Sequence, residues 1–294
     1  MAYVSKSQLP KTVAPRHRAD MFATRFAPSP TGYLHVGHAF SAWTAFEAAQ
    51  AVAGRFILRI EDTDLTRCRP EFEEAIYEDL AWLGLAWDVP VRRQSDHMAD
   101  YEAALERLKD LGVLYRCFKT RKELMDGIAA APHSFSGPEP VAPLPPQDEA
   151  AFLASGKPFA WRLSLQRSQD LLGENWDKLG FEANGTWVKA NPAQLGDIVL
   201  ARKEFPSSYH LASVLDDASQ GITHVIRGED LAEAAHIHVV LQQLLGLPTP
   251  IYRHHRLILD DDGKRFAKRN QSVTLRSLRE RGTSPTEIRT SLGL

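Results

Sequence analysis

The chain has 294 residues, 44% hydrophobic and 24% charged, with 35 lysines and arginines against 37 acids for a net charge of −2. That is enough chain for one large domain or two modest ones. The near-neutral balance excludes a chain that is basic overall, so any nucleic-acid contact has to use a local patch. No apolar run approaches the roughly 20 residues that span a bilayer, and Cys68 and Cys117 are too few for a disulfide framework. A soluble protein of a reducing cytoplasm, not in contact with a membrane, is the expectation.

Residues 1–20 carry Lys6, Lys11, Arg16 and Arg18 without an apolar stretch, and are read as a disordered tail and not a secretory signal. Met21 stands directly before the first apolar run and is a candidate translation start; a native mass that includes Met1 or Ala2 would exclude it. Phe22 to Phe26 then reads as a short strand, Pro28 and Pro30 as a fixed loop, and Gly37 onward as a helix. Phe40, Trp43, Phe46 and Val52 recur in that helix at helical spacing up to Gly54. A strand, a loop and a helix N-terminus make a ready site for phosphate, because free N–H groups and the positive end of the helix dipole meet there. His35 and His38 add ring donors, and Gly37 admits a close approach to the backbone.

Arg55–Ile60 reads as a buried strand delivering Glu61-Asp62-Thr63-Asp64 at its carboxyl end, where open α/β sheets bind ligands. Glu61 suits an ammonium group; alternatively the acids cap the next helix, which starts at Pro70 with Glu71, Glu73 and Glu74 in its first turn and runs to Gly84. A helix over about Asp96–Leu111 follows, and then Tyr115 to Glu123 leads into a stretch with six prolines between Pro132 and Pro146, the mark of an insertion or exposed loop. Regular structure is expected to resume at Asp197–Leu200. Two strands ending in polar residues come next, Tyr209–Asp217 and Gly221–Asp230, then a helix over Ala232–Leu245 and a strand around Leu257–Leu259. Arg227 either holds an anion or pairs at the surface with Glu229 or Asp230. The acidic turn Asp260–Gly263 and the basic run Lys264–Arg269 close the pattern; the run is either a cationic loop for phosphate or a solvated surface segment.

His35-Val36-Gly37-His38 resembles the HIGH signature of class I aminoacyl-tRNA synthetases, and Arg25 to Gly32 before it is similar to the glutamyl and glutaminyl branch. Lys264–Arg269 looks like a divergent KMSKS loop, with Arg265 at the usual first lysine, Ala267 at the serine and Lys268 retained. The resemblance implies an α/β fold: a Rossmann-like nucleotide-binding domain in two halves, 21–96 and 191–262. A connective region inserted at about 97–190 would meet tRNA, and 263–294 would hold the cationic loop and a short helical C-terminal segment. It also implies roles: Arg25, Ala27, Ser29, Glu61, Tyr209 and Arg227 for L-glutamate; His35, Gly37, His38, Arg265 and Lys268 for ATP; and His35, His38 and Lys268 for catalysis. Some relatives hold zinc in the insertion. Cys117 matches the first ligand position, but Lys119 stands where the second cysteine would be and only His133 is near, so no zinc and no other resident metal are expected, and Cys117 is read as a small buried hydrophobe. Mg2+ would enter with ATP.

About 25 residues follow Arg269, too few for a helical anticodon-binding region. In this the chain resembles the glutamyl-queuosine tRNA(Asp) synthetases, and the resemblance implies a monomeric enzyme that forms glutamyl-adenylate and passes glutamate to the queuosine base of tRNA(Asp). A truncated glutamyl-tRNA synthetase charging a tRNA 3′ end, or an inactive tRNA-binding paralogue, are the alternatives.

Overall fold

The computed structural model describes residues 22–120, 123, 141–202, 206–258 and 273–294. The N-terminal tail, Met21, His133 and the basic run with Arg265, Ala267 and Lys268 lie outside the described residues.

Three parallel strands, β1 (Ala23–Phe26), β2 (Arg55–Ile60) and β3 (Asp88–Arg93), form a sheet in that order. β1 and β2 are almost wholly buried, as parallel strands covered on both faces must be. Helix α1 (Val36–Gln50) connects β1 to β2, and α2 (Pro70–Trp82) connects β2 to β3. Gly54 lets the first crossover close: a Cβ there would stand 2.6 Å from the Phe22 carbonyl, which accepts the Arg55 amide at 2.8 Å.

After α3 (Met98–Asp110) the chain leaves this sheet. β4 (Leu114–Cys117), α4 (Pro146–Ala154), β5 (Ala160–Leu163), α5 (Leu165–Leu172), the hairpin β6 (Gly180–Ala183) and β7 (Thr186–Lys189), and β8 (Val199–Arg202) follow. Here the structure corrects the sequence reading: β8 does not resume the parallel fold but pairs antiparallel with β5, in the order β4-β5-β8. Asp197 pins that corner, accepting from the Leu165 amide and the Tyr115 hydroxyl, both at 2.9 Å.

The second correction concerns Tyr209–Asp217, which is not a strand but the body of helix α6 (Tyr209–Ser219). Ser208 caps it by accepting the Leu211 amide, and Leu211, Ala212 and Val214 bury one side. β9 (His224–Gly228), α7 (Ala234–Leu245) and β10 (Ile251–His255) complete a sheet ordered β7-β6-β10-β9. The expected strand around Leu257 is therefore displaced to Ile251–His255; Leu257 and Ile258 continue beyond it as irregular chain. β1 and β9 lie edge to edge, with the Thr223 amide on the Ala23 carbonyl at 3.0 Å. The carboxyl ends of β1, β2, β9 and β10 thus face one region.

Two short helices end the chain, α8 (Leu275–Glu280) and α9 (Pro285–Ser291). Their Leu275 and Ile288 enter the core that packs α1 and α2 on the first sheet, while α3, α6 and α7 share a second core with the rest. The α/β class, the parallel sheet and the helical C-terminal segment agree with the expectation.

Candidate active site

The N-terminus of α1 is built by its own histidines. His35 is the N-cap, its Nδ1 accepting the Gly37 amide at 3.1 Å. His38 answers by accepting the His35 amide on Nδ1 at 3.2 Å, and the two rings stand 3.8 Å apart. A neutral imidazole that accepts at Nδ1 carries its proton on Nε2, so both rings hold a donor on the edge turned from the backbone. No acid occupies the first turn of α1, which leaves the dipole end positive. Gly37 leaves room for the His35 ring, which a Cβ would meet at 3.1 Å and push by a few tenths of an ångström.

Four carboxyl-end residues of neighbouring strands supply charge. Arg25 on β1 is 5% exposed and donates from Nε and Nη2 to the two oxygens of Asp217 on α6, at 3.0 and 3.4 Å. Arg59 on β2, wholly buried, donates to Asp217 at 2.7 Å, to Gln220 at 3.0 Å and to Glu61 at 3.2 Å. Burial works to raise the Asp217 carboxyl, but Arg25 and Arg59 outweigh it and hold it below its usual value. At Glu61 the balance reverses: burial pushes the carboxyl up, and Arg59 and Arg25 only partly oppose it. A buried carboxylate that is costly to charge gains most from an arriving cation.

Arg227 on β9 differs from the others. It is 4% exposed, lies over the Tyr252 ring at 5.1 Å and donates from Nη1 to the Tyr209 hydroxyl at 3.1 Å. Its Nε and Nη2 have no partner among the described residues. The surface pairing with Glu229 or Asp230 is therefore not what this residue does. Behind Tyr209, His210 and His238 share a hydrogen bond at 3.2 Å. Burial first, then Arg227, pushes the His210 imidazole down to about 4 and His238 well below its ordinary value, so the pair stays neutral.

Arg25, Ala27, Ser29, His35, Gly37, His38, Glu61, Tyr209 and Arg227 all line one cavity of about 450 Å³. The sequence reading had singled out each of them. It missed Ser41, Asp230, His255 and Arg256 on the same wall; His255 Nε2 lies 3.1 Å from Ser41 Oγ. Their signal is weak: Ser41 is an ordinary polar residue within α1, Asp230 follows β9 in an acidic pair, and His255 ends, and Arg256 follows, the strand of mixed polar character that the pattern sets a few residues too late. The acidic run after β2 divides its labour. Asp62 accepts from the Ser95 amide and hydroxyl at 2.8 and 2.6 Å, and Asp64 closes a turn at Thr66 and Arg67. Neither caps α2, whose N-cap is Arg69. Cys117 is 5% exposed.

A helix N-terminus at the carboxyl edge of a parallel sheet, facing buried cations and a buried carboxylate, defines a nucleotide-binding α/β enzyme that also takes a charged substrate. The chain matches the family described as tRNA synthetases class I (E and Q), catalytic domain, over residues 21–294. It is 47% identical over 287 residues to the glutamyl-Q tRNA(Asp) synthetase of Rhodobacter capsulatus, spanning 92% of this chain and 99% of that one. With the glutamate–tRNA ligase of Aquifex aeolicus it shares 38% over 267 residues, spanning 89% of this chain and 54% of that one. The crystal structure of a glutamate tRNA ligase from Elizabethkingia meningosepticum in complex with its amino acid superposes at TM-score 0.69 and 30% identity, over 85% of this chain and 52% of that one. This chain belongs to the class I tRNA synthetases of the glutamate and glutamine branch and is a ligase that uses ATP. No described helix is long and apolar enough to cross a membrane.

Proposed function

We propose that this chain activates L-glutamate with ATP and transfers it to the queuosine base at the wobble position of tRNA(Asp). The observation that carries this reading is the 47% identity, over nearly the full length of both chains, to a glutamyl-Q tRNA(Asp) synthetase. In it Glu61 receives the substrate ammonium, while Arg25, Tyr209 and Arg227 hold its carboxylates and Ala27 and Ser29 line the path between them. The half-satisfied guanidinium of Arg227, buried beside the charge-balanced Arg25, supports an anionic amino acid over a neutral one.

In the first step an oxygen of the glutamate α-carboxylate attacks the ATP α-phosphorus and pyrophosphate leaves. In the second a queuosine hydroxyl attacks the activated carbonyl and AMP leaves. The chain supplies proximity and charge stabilisation, not a covalent nucleophile. His35, His38 and the positive end of the α1 dipole face the phosphates. Arg265 and Lys268, assigned from their sequence resemblance alone, would add cationic charge at the β- and γ-phosphates. Mg2+ belongs to the reading as the companion of ATP, held mainly by phosphate oxygens. A monomeric, cytoplasmic enzyme divided at about 21–96, 97–190, 191–262 and 263–294 completes the proposal.

Charging of a tRNA 3′ end is the second reading, favoured by 39% identity over 269 residues to glutamate–tRNA ligase 2 of Gluconobacter oxydans. Labelled glutamate, with ATP and Mg2+, offered to tRNA(Asp) with and without queuosine and to tRNA(Glu) separates the two. Label confined to queuosine-bearing tRNA(Asp) is expected; label on tRNA(Glu) would replace the proposal with the second reading.

A further inference from the structure

Beneath the cavity lies a buried ionic frame of six side chains, of which only Arg25 and Glu61 have a substrate role in the glutamate reading. Arg25, Arg59 and Arg92 face Asp216, Asp217 and Glu61, three cations against three anions. Arg92 reaches Asp216 at 2.7 Å, and Asp216 also accepts from Gln94 at 2.9 Å and from the Tyr101 hydroxyl at 3.0 Å. Two members of the frame, Arg25 and Glu61, line the cavity; Arg59 and Asp217 do not, yet they join these two. The chain of contacts runs Arg25 to Asp217, Asp217 to Arg59 and Arg59 to Glu61, at 3.0, 2.7 and 3.2 Å. Every side chain in it is at most 11% exposed, so water can neither screen nor replace these contacts.

We infer that Arg59 and Asp217 are positioning residues for glutamate: together they fix the separation between the group that takes a carboxylate and the group that takes the ammonium. The inference rests on the glutamate reading given above. Asp217 occupies the Nε and Nη2 edge of Arg25 with both its oxygens, which fixes the guanidinium plane and leaves Nη1 as the remaining donor group. Arg59 then sets Glu61 against the same carboxylate, using the fork that a single ammonium lacks. An amino acid carries its charges at fixed distances, so a frame that holds both receiving groups rigidly selects for their spacing. Asp216 also stands 3.6 Å from Arg59 Nε, an ion pair without a hydrogen bond; its hydrogen bonds go to Arg92, Gln94 and Tyr101, which tie β3 and α3 to α6 and do not line the main cavity.

The test is ATP–pyrophosphate exchange with the full chain, glutamate and ATP varied in turn, on Asp217→Asn, Arg59→Lys and Asp216→Asn, with melting temperatures for each. The expected result is a glutamate KM raised about tenfold or more in the first two variants, an ATP KM within about twofold of wild type, and a lowered melting temperature but near-normal glutamate KM in Asp216→Asn. If Asp217→Asn is not recovered folded, Arg59→Lys, which keeps the charge, decides by the same split. An unchanged glutamate KM in a folded variant, or an equal rise in all three, overturns the positioning role and leaves the glutamate reading standing. Wild-type protein with no glutamate-dependent exchange overturns both.

Discussion

Arg227 donates one hydrogen bond to Tyr209 at 3.1 Å while its Nε and Nη2 have no partner among the described residues, although the residue is 4% exposed. A buried guanidinium with two idle donors is costly unless an anion completes it. Replacement by lysine keeps the charge and loses the fork. Arg227→Lys is expected to raise the glutamate KM about 10- to 100-fold, the worth of a charge-assisted bond of about 1.5–3 kcal/mol. Tyr209→Phe removes only one neutral partner and should cost less than tenfold. Exchange kinetics over a glutamate series decide it, and equal losses in the two variants would contradict the assigned roles.

His35 has two jobs that a substitution can separate. Asparagine is a good N-cap but has no Nε2 donor. His35→Asn should melt within a degree or two of wild type yet lose about 10²–10³ in adenylate formation, the usual cost of removing one preorganised donor. His35→Ala should lose the same activity and about 1 kcal/mol of stability besides. Single-turnover adenylation and thermal melts on both variants provide the check.

Gly37→Ala makes the opposite trade. Alanine is favoured over glycine within a helix by about 1 kcal/mol, but its Cβ would stand 3.1 Å from the His35 ring, which must yield by a few tenths of an ångström. Stability should hold or rise while adenylate formation falls. A variant that melts higher with undiminished exchange would show that the His35 ring position does not matter.

Asp79 on α2 is 0% exposed, has no hydrogen-bond partner for either oxygen among the described residues, and meets Arg279 of α8 at 3.5 Å. Burial, against the pull of Arg279, pushes its carboxyl from 3.8 up to about 6. The folded state therefore holds this proton more tightly than the unfolded chain. Its stabilising contribution is complete below about 4 and is lost as pH rises through about 6, a swing of about 3 kcal/mol. The neutral His210–His238 pair acts in the other sense, because unfolded histidines take up protons below 6.5 and draw the chain open. Comparing Asp79→Asn with wild type cancels the histidine part. The variant should gain stability over wild type at pH 7.5 and lose that advantage by pH 4.5; a difference independent of pH in denaturant titrations would refute the assignment.

Much of the site was legible because its chemistry is local. The strand, loop and helix from Phe22 to Gly54 announce themselves through two prolines, a H-x-G-H step and apolar spacing, and the structure places β1 and α1 there. α6 was misread because Tyr209–Leu215 is short and apolar enough to pass for a strand, and the deciding signal, the Ser208 cap, is a single residue. β10 escaped because Arg253, His254 and His255 interrupt its apolar pattern. The ionic frame could not be read at all: Arg59 and Asp217 are 158 residues apart, and nothing in either neighbourhood names the other.

The register of α6 carries one more implication. Tyr209 enters the cavity from its first turn while Asp216 and Asp217 hold the arginines from its last, positions seven and eight residues on, which return to the same face of a helix. One inserted or deleted residue between them would turn the two ends by about 100° relative to each other. The length of α6 is thus constrained along with the identity of these residues. An attempt to reshape the amino-acid pocket has to substitute within this helix, never lengthen it.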